Sequence, residues 1–301
     1  MLLSSLFTLS PQYVYATSET DKWSLKSEAN LRFDYNSDRG SRYQYRVRAY
    51  PSYQISENVG IHGFVTTGNR FASSHNTINA SQSNYLYLRR LFVRQSDQYG
   101  KTEFGVIPTY KGRVSSTGLS KDGWIAGLRR VNKVANGQLE FVVGELDRLN
   151  QPSVFNSINK LNYYELEYSF DLTADWSAEF SAERLLGGNF LRTELRYEQQ
   201  EQVYSVEFIY RLDNDNSKVV ASWQQNIEIF NTPLELFSVY AHVRQGFGRR
   251  AELTEDFLEF GHAVSFELEP QNNLVYDLKW FSRLEFYEGQ SRFLLGLKRK
   301  F

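Results

Sequence analysis

Charged residues recur at every second position in two parts of the chain. Toward the termini the set is Lys26, Glu28, Arg32, Asp34, Arg46, Arg48, Arg292, Lys298 and Lys300. In the middle it is Glu165, Glu167, Glu179, Glu183, Arg192, Glu194, Arg196, Glu198, Glu207 and Arg211. Side chains two apart share one face of a strand, so these are charged ribbons and not the compact constellations of an enzyme. Rows of fixed charge facing each other across water order that water, favour polar or dipolar solutes and tune ion selectivity. Alternatively, the same residues neutralise one another in paired ladders.

Reactive motifs are weak by comparison. Gly246-Phe247-Gly248-Arg249-Arg250-Ala251 formally matches a dinucleotide fingerprint. That motif works only between a strand and a helix N-terminus, and no helical pattern follows. Asp213-Asn214-Asp215-Asn216-Ser217 imitates the start of a calcium loop, but Lys218 and Gln224 replace its glycine and bidentate glutamate, so a hairpin turn fits better. His62, His75, His242 and His262 lack zinc-protease spacing, and there is no Gly-x-Ser-x-Gly elbow. His262 and Ser265 lie on opposite parities and so face opposite sides of a sheet. The absence of Cys removes disulfides, thiolate nucleophiles and Cys-based metal sites. No catalytic, cofactor or metal site is expected.

Composition bounds the remaining classes. The 301 residues carry 34 Lys and Arg against 35 Asp and Glu, which excludes an overall basic footprint for nucleic acid. Mean hydropathy is −0.50, and no run approaches the roughly 18 apolar residues of a membrane-spanning helix. A transmembrane β-barrel escapes that test, because only every second residue of its strands meets lipid. Residues 1–16 form an apolar stretch ending in Val14-Tyr15-Ala16, read as a secretory signal peptide although no Lys or Arg precedes it. Residues 17–301 read as one domain, since no repeat or linker divides them.

Within that domain the hydrophobic period is two. Trp23, Leu25, Ala29, Leu31, Phe33 and Tyr35 alternate with Lys26, Glu28, Asn30, Arg32 and Asp34. Continued along the chain, the pattern predicts sixteen strands: 23–36, 43–55, 59–67, 84–95, 101–107, 123–131, 138–146, 162–170, 176–184, 190–199, 203–212, 218–229, 234–243, 257–268, 274–286 and 291–301. Connections after the even strands up to the fourteenth are tight, while those after strands 1, 3, 5, 7 and 13 are longer. This is the loop asymmetry of outer-membrane barrels. Two places fit poorly. Arg89 and Arg90 are adjacent, so one should point outward, and 218–229 and 234–243 alternate weakly enough that fourteen strands would also satisfy the pattern.

Alternation alone also suits a soluble β-sandwich, but sandwich strands are usually shorter. Aromatics also gather near strand ends on the apolar parity, at Tyr35, Tyr43, Tyr168, Phe170, Tyr197, Tyr210, Phe266, Trp280 and Phe286, as interfacial girdles would. The chain closes on Phe293, Leu295, Leu297, Arg299 and Phe301 at two-residue steps. This ending resembles the assembly signal of Gram-negative outer-membrane barrels, with Arg299 where an apolar residue is usual. Together with the strand count, it makes the mature chain similar to porins. The resemblance implies an all-β, antiparallel up-and-down barrel of about sixteen strands in the outer membrane, with short periplasmic turns and long extracellular loops. It also implies contact with lipid and lipopolysaccharide, recognition by the outer-membrane assembly machinery and, as the subunit arrangement, a homotrimer. The segment Pro108 to Gly123, with Tyr110, Lys111, Arg113, Lys121 and Asp122, resembles in position the loop that narrows porin channels; an ordinary surface loop fits it equally well.

At about sixteen strands a barrel retains an aqueous lumen. The expected function is therefore a water-filled channel for passive diffusion of small hydrophilic solutes or ions. Basic lining falls to Arg32, Arg46, Arg48, Arg292 and Lys298, and acidic lining to Glu165, Glu167, Glu179, Glu183, Glu194 and Glu207. By this register the terminal wall carries about +5 and the opposite wall about −4. Two alternatives stand: a non-conducting outer-membrane barrel acting as a binding or structural partner, and a secreted β-sandwich that binds through exposed tyrosines.

Overall fold

A computed structural model describes residues 22–68, 75–78, 85–108, 124–146, 154–155, 157–185, 187–248 and 260–301. The signal-peptide reading of 1–16 and the loop residues Tyr110, Lys111, Arg113, Lys121 and Asp122 lie outside these described residues.

The strands are β1 (Trp23–Asn36), β2 (Gly40–Ser56), β3 (Val59–Gly68), β4 (Asn76–Thr77), β5 (Tyr85–Asp97), β6 (Gly100–Pro108), β7 (Trp124–Val134), β8 (Gly137–Glu145) and β9 (Tyr163–Asp171). They continue as β10 (Trp176–Leu185), β11 (Gly188–Gln199), β12 (Gln202–Arg211), β13 (Asn216–Ile229), β14 (Thr232–Val243), β15 (Gly261–Pro270), β16 (Leu278–Tyr287) and β17 (Gln290–Lys300). Apart from the two-residue β4, each pairs antiparallel with its neighbours in sequence, and β1 pairs with β17. The result is a single closed sheet of sixteen staves. This rules out both the two-layer sandwich and the fourteen-strand alternative. Closure leaves no sheet edge and satisfies the backbone ladder internally, as a lipid-spanning structure requires.

The pleat sorts the side chains as the alternation dictates. On β1, Asn30, Arg32, Asp34 and Asn36 are buried while Leu31 and Tyr35 are exposed. On β11, Arg192, Glu194 and Arg196 are buried while Leu191 and Leu195 are exposed. Ionised groups inside and apolar groups outside is the inverse of a water-soluble protein. Outward-facing aromatics line the short-turn rim, where Trp176, Tyr197, Tyr204 and Trp223 make contacts at 4.8, 6.3 and 6.4 Å along adjacent strands.

Three details of the sequence reading are corrected. The connection after β1 is a tight turn at 37–39, because Asn36 Oδ1 accepts the backbone N–H groups of Asp38 and Arg39 and reverses the chain at once. Arg89 and Arg90 do not divide between faces. The β3–β5 register slips between Phe64 and Val65, and both arginines are buried. A bulge supplies the extra residue that a strict period of two forbids. β13 pairs from Lys218 to Ile229 with the whole of β14 despite weak alternation. The alternation is weak because inward positions there carry Val220, Val239, Ala241 and Val243, all buried.

Candidate functional site

The candidate site is the inner face of the barrel. β10 stands eight staves from β1 around the ring, so the terminal charge wall on β17, β1 and β2 faces the glutamate wall on β9 to β12.

On the terminal wall, Asp34 accepts from Arg292 Nε and Nη2, each at 2.8 Å, and from Arg42 Nε at 2.8 Å. Arg292 Nη1 also reaches Glu285 at 3.3 Å. Arg32 Nε donates to Gln44 Oε1 at 2.9 Å, Arg46 pairs with Glu28 at 3.0 Å, and Lys298 pairs with Glu269. The wall continues onto β3 and β5 as arginine laid on aromatic rings. Arg90 lies 4.1 Å and Arg48 6.0 Å from the Phe64 centroid, with Tyr50 stacked on the same ring at 5.0 Å. Such cation–π contacts hold guanidinium groups in place without cancelling their charge.

On the opposite wall, Glu165, Glu167, Glu179, Glu183, Glu194 and Glu207 are all buried. Register sets Glu165 opposite Glu183, and Glu194 opposite both Glu179 and Glu207. Like charges directly across a ladder are destabilising. Arg192 offsets them: it contacts Glu179 and Glu207, and it meets Glu194 at 2.7 Å and Glu167 at 3.4 Å. One guanidinium thus ties four carboxylates from four adjacent strands.

Sequence reasoning missed two features. Between the walls, Glu103 accepts from Arg94 Nε at 2.7 Å and Arg129 Nη1 at 2.9 Å, and Arg129 Nε reaches Glu140 at 2.8 Å. These residues share the inward parity of β5 to β8, and the alternation that marked the other charges marks them equally. The second is an apolar collar: Ile107, Ile125, Leu146, Tyr163, Leu185, Phe190, Ile209 and Phe247 are buried in one cluster on the inner face at the long-loop end. Inward positions beside the short turns, such as Lys26, Lys133 and Asp171, are exposed instead.

The closing strand carries Phe293, Leu295 and Leu297 on the outward parity, with Leu295 and Leu297 exposed. Phe301 exchanges backbone hydrogen bonds with Ser27 at 2.9 and 3.2 Å, so pairing runs to the last residue. The Arg299 guanidinium lies over the Phe301 ring at 4.7 Å, which accommodates a charge in an otherwise apolar ending.

No family model matches the sequence, and no curated protein matches it. Solved structures do match in fold. A variant of Rh. blastica porin aligns with a TM-score of 0.63 at 10% identity, covering 93% of this chain and 100% of that one. Salmonella typhi OmpF in complex with daunomycin aligns with a TM-score of 0.60 at 11% identity, covering 93% and 97%. A structure described as concerning asymmetric conductivity of engineered proteins aligns at 0.62 and 9% identity, covering 93% and 100%. The likeness is one of fold: the chain is a porin-type β-barrel.

Proposed function

Taking a barrel of porin type as the premise, we propose that the chain forms a water-filled channel in the outer membrane of a Gram-negative bacterium and passes small hydrophilic solutes or ions by diffusion. The observation that carries this reading is the inverted burial: arginines and glutamates line the inside of a closed sheet whose outside is apolar. The terminal and glutamate walls impose a transverse field on whatever passes, strongest near the walls because salt screens it over roughly 8 Å. Tyr110, Lys111, Arg113, Lys121 and Asp122 are the residues assigned in this proposal to restricting which solutes pass. Phe293, Leu295, Leu297 and Phe301 serve as the assembly signal, and the outward face meets lipid, lipopolysaccharide and like subunits in a trimer.

One observation favours a second reading, a barrel that binds or supports without conducting: the inward residues of the collar are buried. Planar-bilayer recording separates the two. Discrete current steps from correctly folded protein support the channel, and their reversal potential in a salt gradient reports which wall dominates. Absence of steps supports the closed barrel.

A further inference from the structure

Gly246-Phe247-Gly248 fails as a dinucleotide fingerprint, and its geometry gives it a different role. Gly246 and Gly248 have φ of +86° and +87°, values that residues with a Cβ rarely adopt. Two left-handed steps therefore flank Phe247, and its backbone N–H donates to the Arg244 carbonyl at 3.2 Å to close a tight turn. This turns the side chain back into the barrel. Phe247 is 0% exposed and meets Phe190 of β11 with ring centroids 5.5 Å apart.

The turn is also pinned. Arg211 Nη1 donates to the Gly246 and Phe247 carbonyls, each at 3.1 Å, and Asn214 Nδ2 donates to the Gly246 carbonyl at 2.8 Å. The same Arg211 guanidinium lies 5.7 Å from the Phe190 centroid, so one side chain braces both the loop and the ring it lands on. Phe247 belongs to the same buried cluster as Ile107, Ile125, Tyr163, Leu185 and Ile209 of the collar.

We propose that Phe247 is a constriction residue of the long-loop mouth, an aromatic stopper seated in an apolar collar. The proposal rests on the channel reading and deepens it. An apolar constriction resists wetting and so obstructs ions more than its width alone would. Conduction through this mouth then requires the ring to leave its seat, and the hydrogen bonds from Arg211 and Asn214 set how often it does.

The test compares single-channel currents of the wild-type chain and Phe247→Ala in planar bilayers. Removing the ring is expected to raise conductance at least about twofold or to abolish closures. Because the chain has no cysteine, Ile209→Cys in the collar supplies a second readout in vesicles: a water-soluble maleimide labels it slowly while Phe247 is seated, and roughly ten times faster once Arg211→Gln removes the brace. A silent wild type beside a conducting Phe247→Ala upholds the stopper and revises the proposed function to a gated channel. Equal conductance of the two overturns the stopper alone, and silence of both overturns channel and stopper together. Fast labelling of Ile209→Cys with Phe247 and Arg211 intact overturns the seating of the ring.

Discussion

Arg192 and Glu194 sit two residues apart on β11, both fully buried, with Nη2 2.7 Å from Oε2. Glu179 and Glu207 on the flanking strands and Glu167 beyond hold the same guanidinium. Removing one member of a buried ion network leaves the others uncompensated, at a cost of about 3–5 kcal/mol. Arg192→Met is expected to lower the urea-unfolding free energy of the detergent-folded barrel by that amount at neutral pH. The loss should shrink in acid, where the carboxylates take up protons. An equal loss at pH 4 and pH 7 would mean that packing, not charge, explains the defect.

Arg89 and Arg90 both reach the inner face through the β3–β5 bulge, and Arg90 is stacked on Phe64. Potentials near such charge clusters reach several kT, so loss of one positive charge is expected to change a permeability ratio about two- to threefold. Arg90→Ala should move the reversal potential in a salt gradient toward cation preference. An unchanged reversal potential in an otherwise normal channel would place this wall off the conduction path.

Gly127 of β7 is paired between Gly105 and Gly144 on the inner face. A Cβ at Gly127 would land against the Val143 carbonyl oxygen of the adjoining strand. Overpacking of this kind costs typically about 1–3 kcal/mol. Gly127→Ala should reduce the fraction that refolds to the heat-modifiable barrel, whereas unaltered yield and midpoint would show that the strands can part there without cost.

Asp213, in the turn between β12 and β13, accepts the backbone N–H of Asn189 at 2.6 Å and its side-chain amide at 2.8 Å. These bonds, with Arg211 nearby, hold its carboxyl below the ordinary 3.8. A depressed folded-state value means the contribution is present above the unfolded value and is lost as pH falls through the folded one. The stability difference between wild type and Asp213→Asn should therefore narrow in acid; a difference that widens would reverse this assignment. The effect is small, since the group is solvent-screened.

The period of two made the staves, the loop asymmetry and the charged parity legible, because each follows from local geometry. Long-range closure was inferred only from the even count, and the β1–β17 ladder supplies it. The Arg89 bulge was illegible because a slip of register belongs to a pair of strands and has no signature in one of them. Charged positions such as Arg192 and Glu207 could be placed on a face, but their convergence depends on the rotation of four strands about one another. The collar escaped because Ile107, Ile125, Leu185 and Ile209 occupy the polar parity near strand ends, where averaging over a strand hides them.

Which face of the sheet meets hydrocarbon is most directly tested by thiol labelling of the otherwise cysteine-free chain. Leu295 is exposed on the outward parity of β17, and Lys298 lies on the inward parity beside Glu269. In lipid vesicles a water-soluble maleimide is expected to react with Lys298→Cys and to spare Leu295→Cys, while in the unfolded chain both react. Reaction at Leu295→Cys with Lys298→Cys spared would contradict the barrel's orientation to its solvents, and the channel with it.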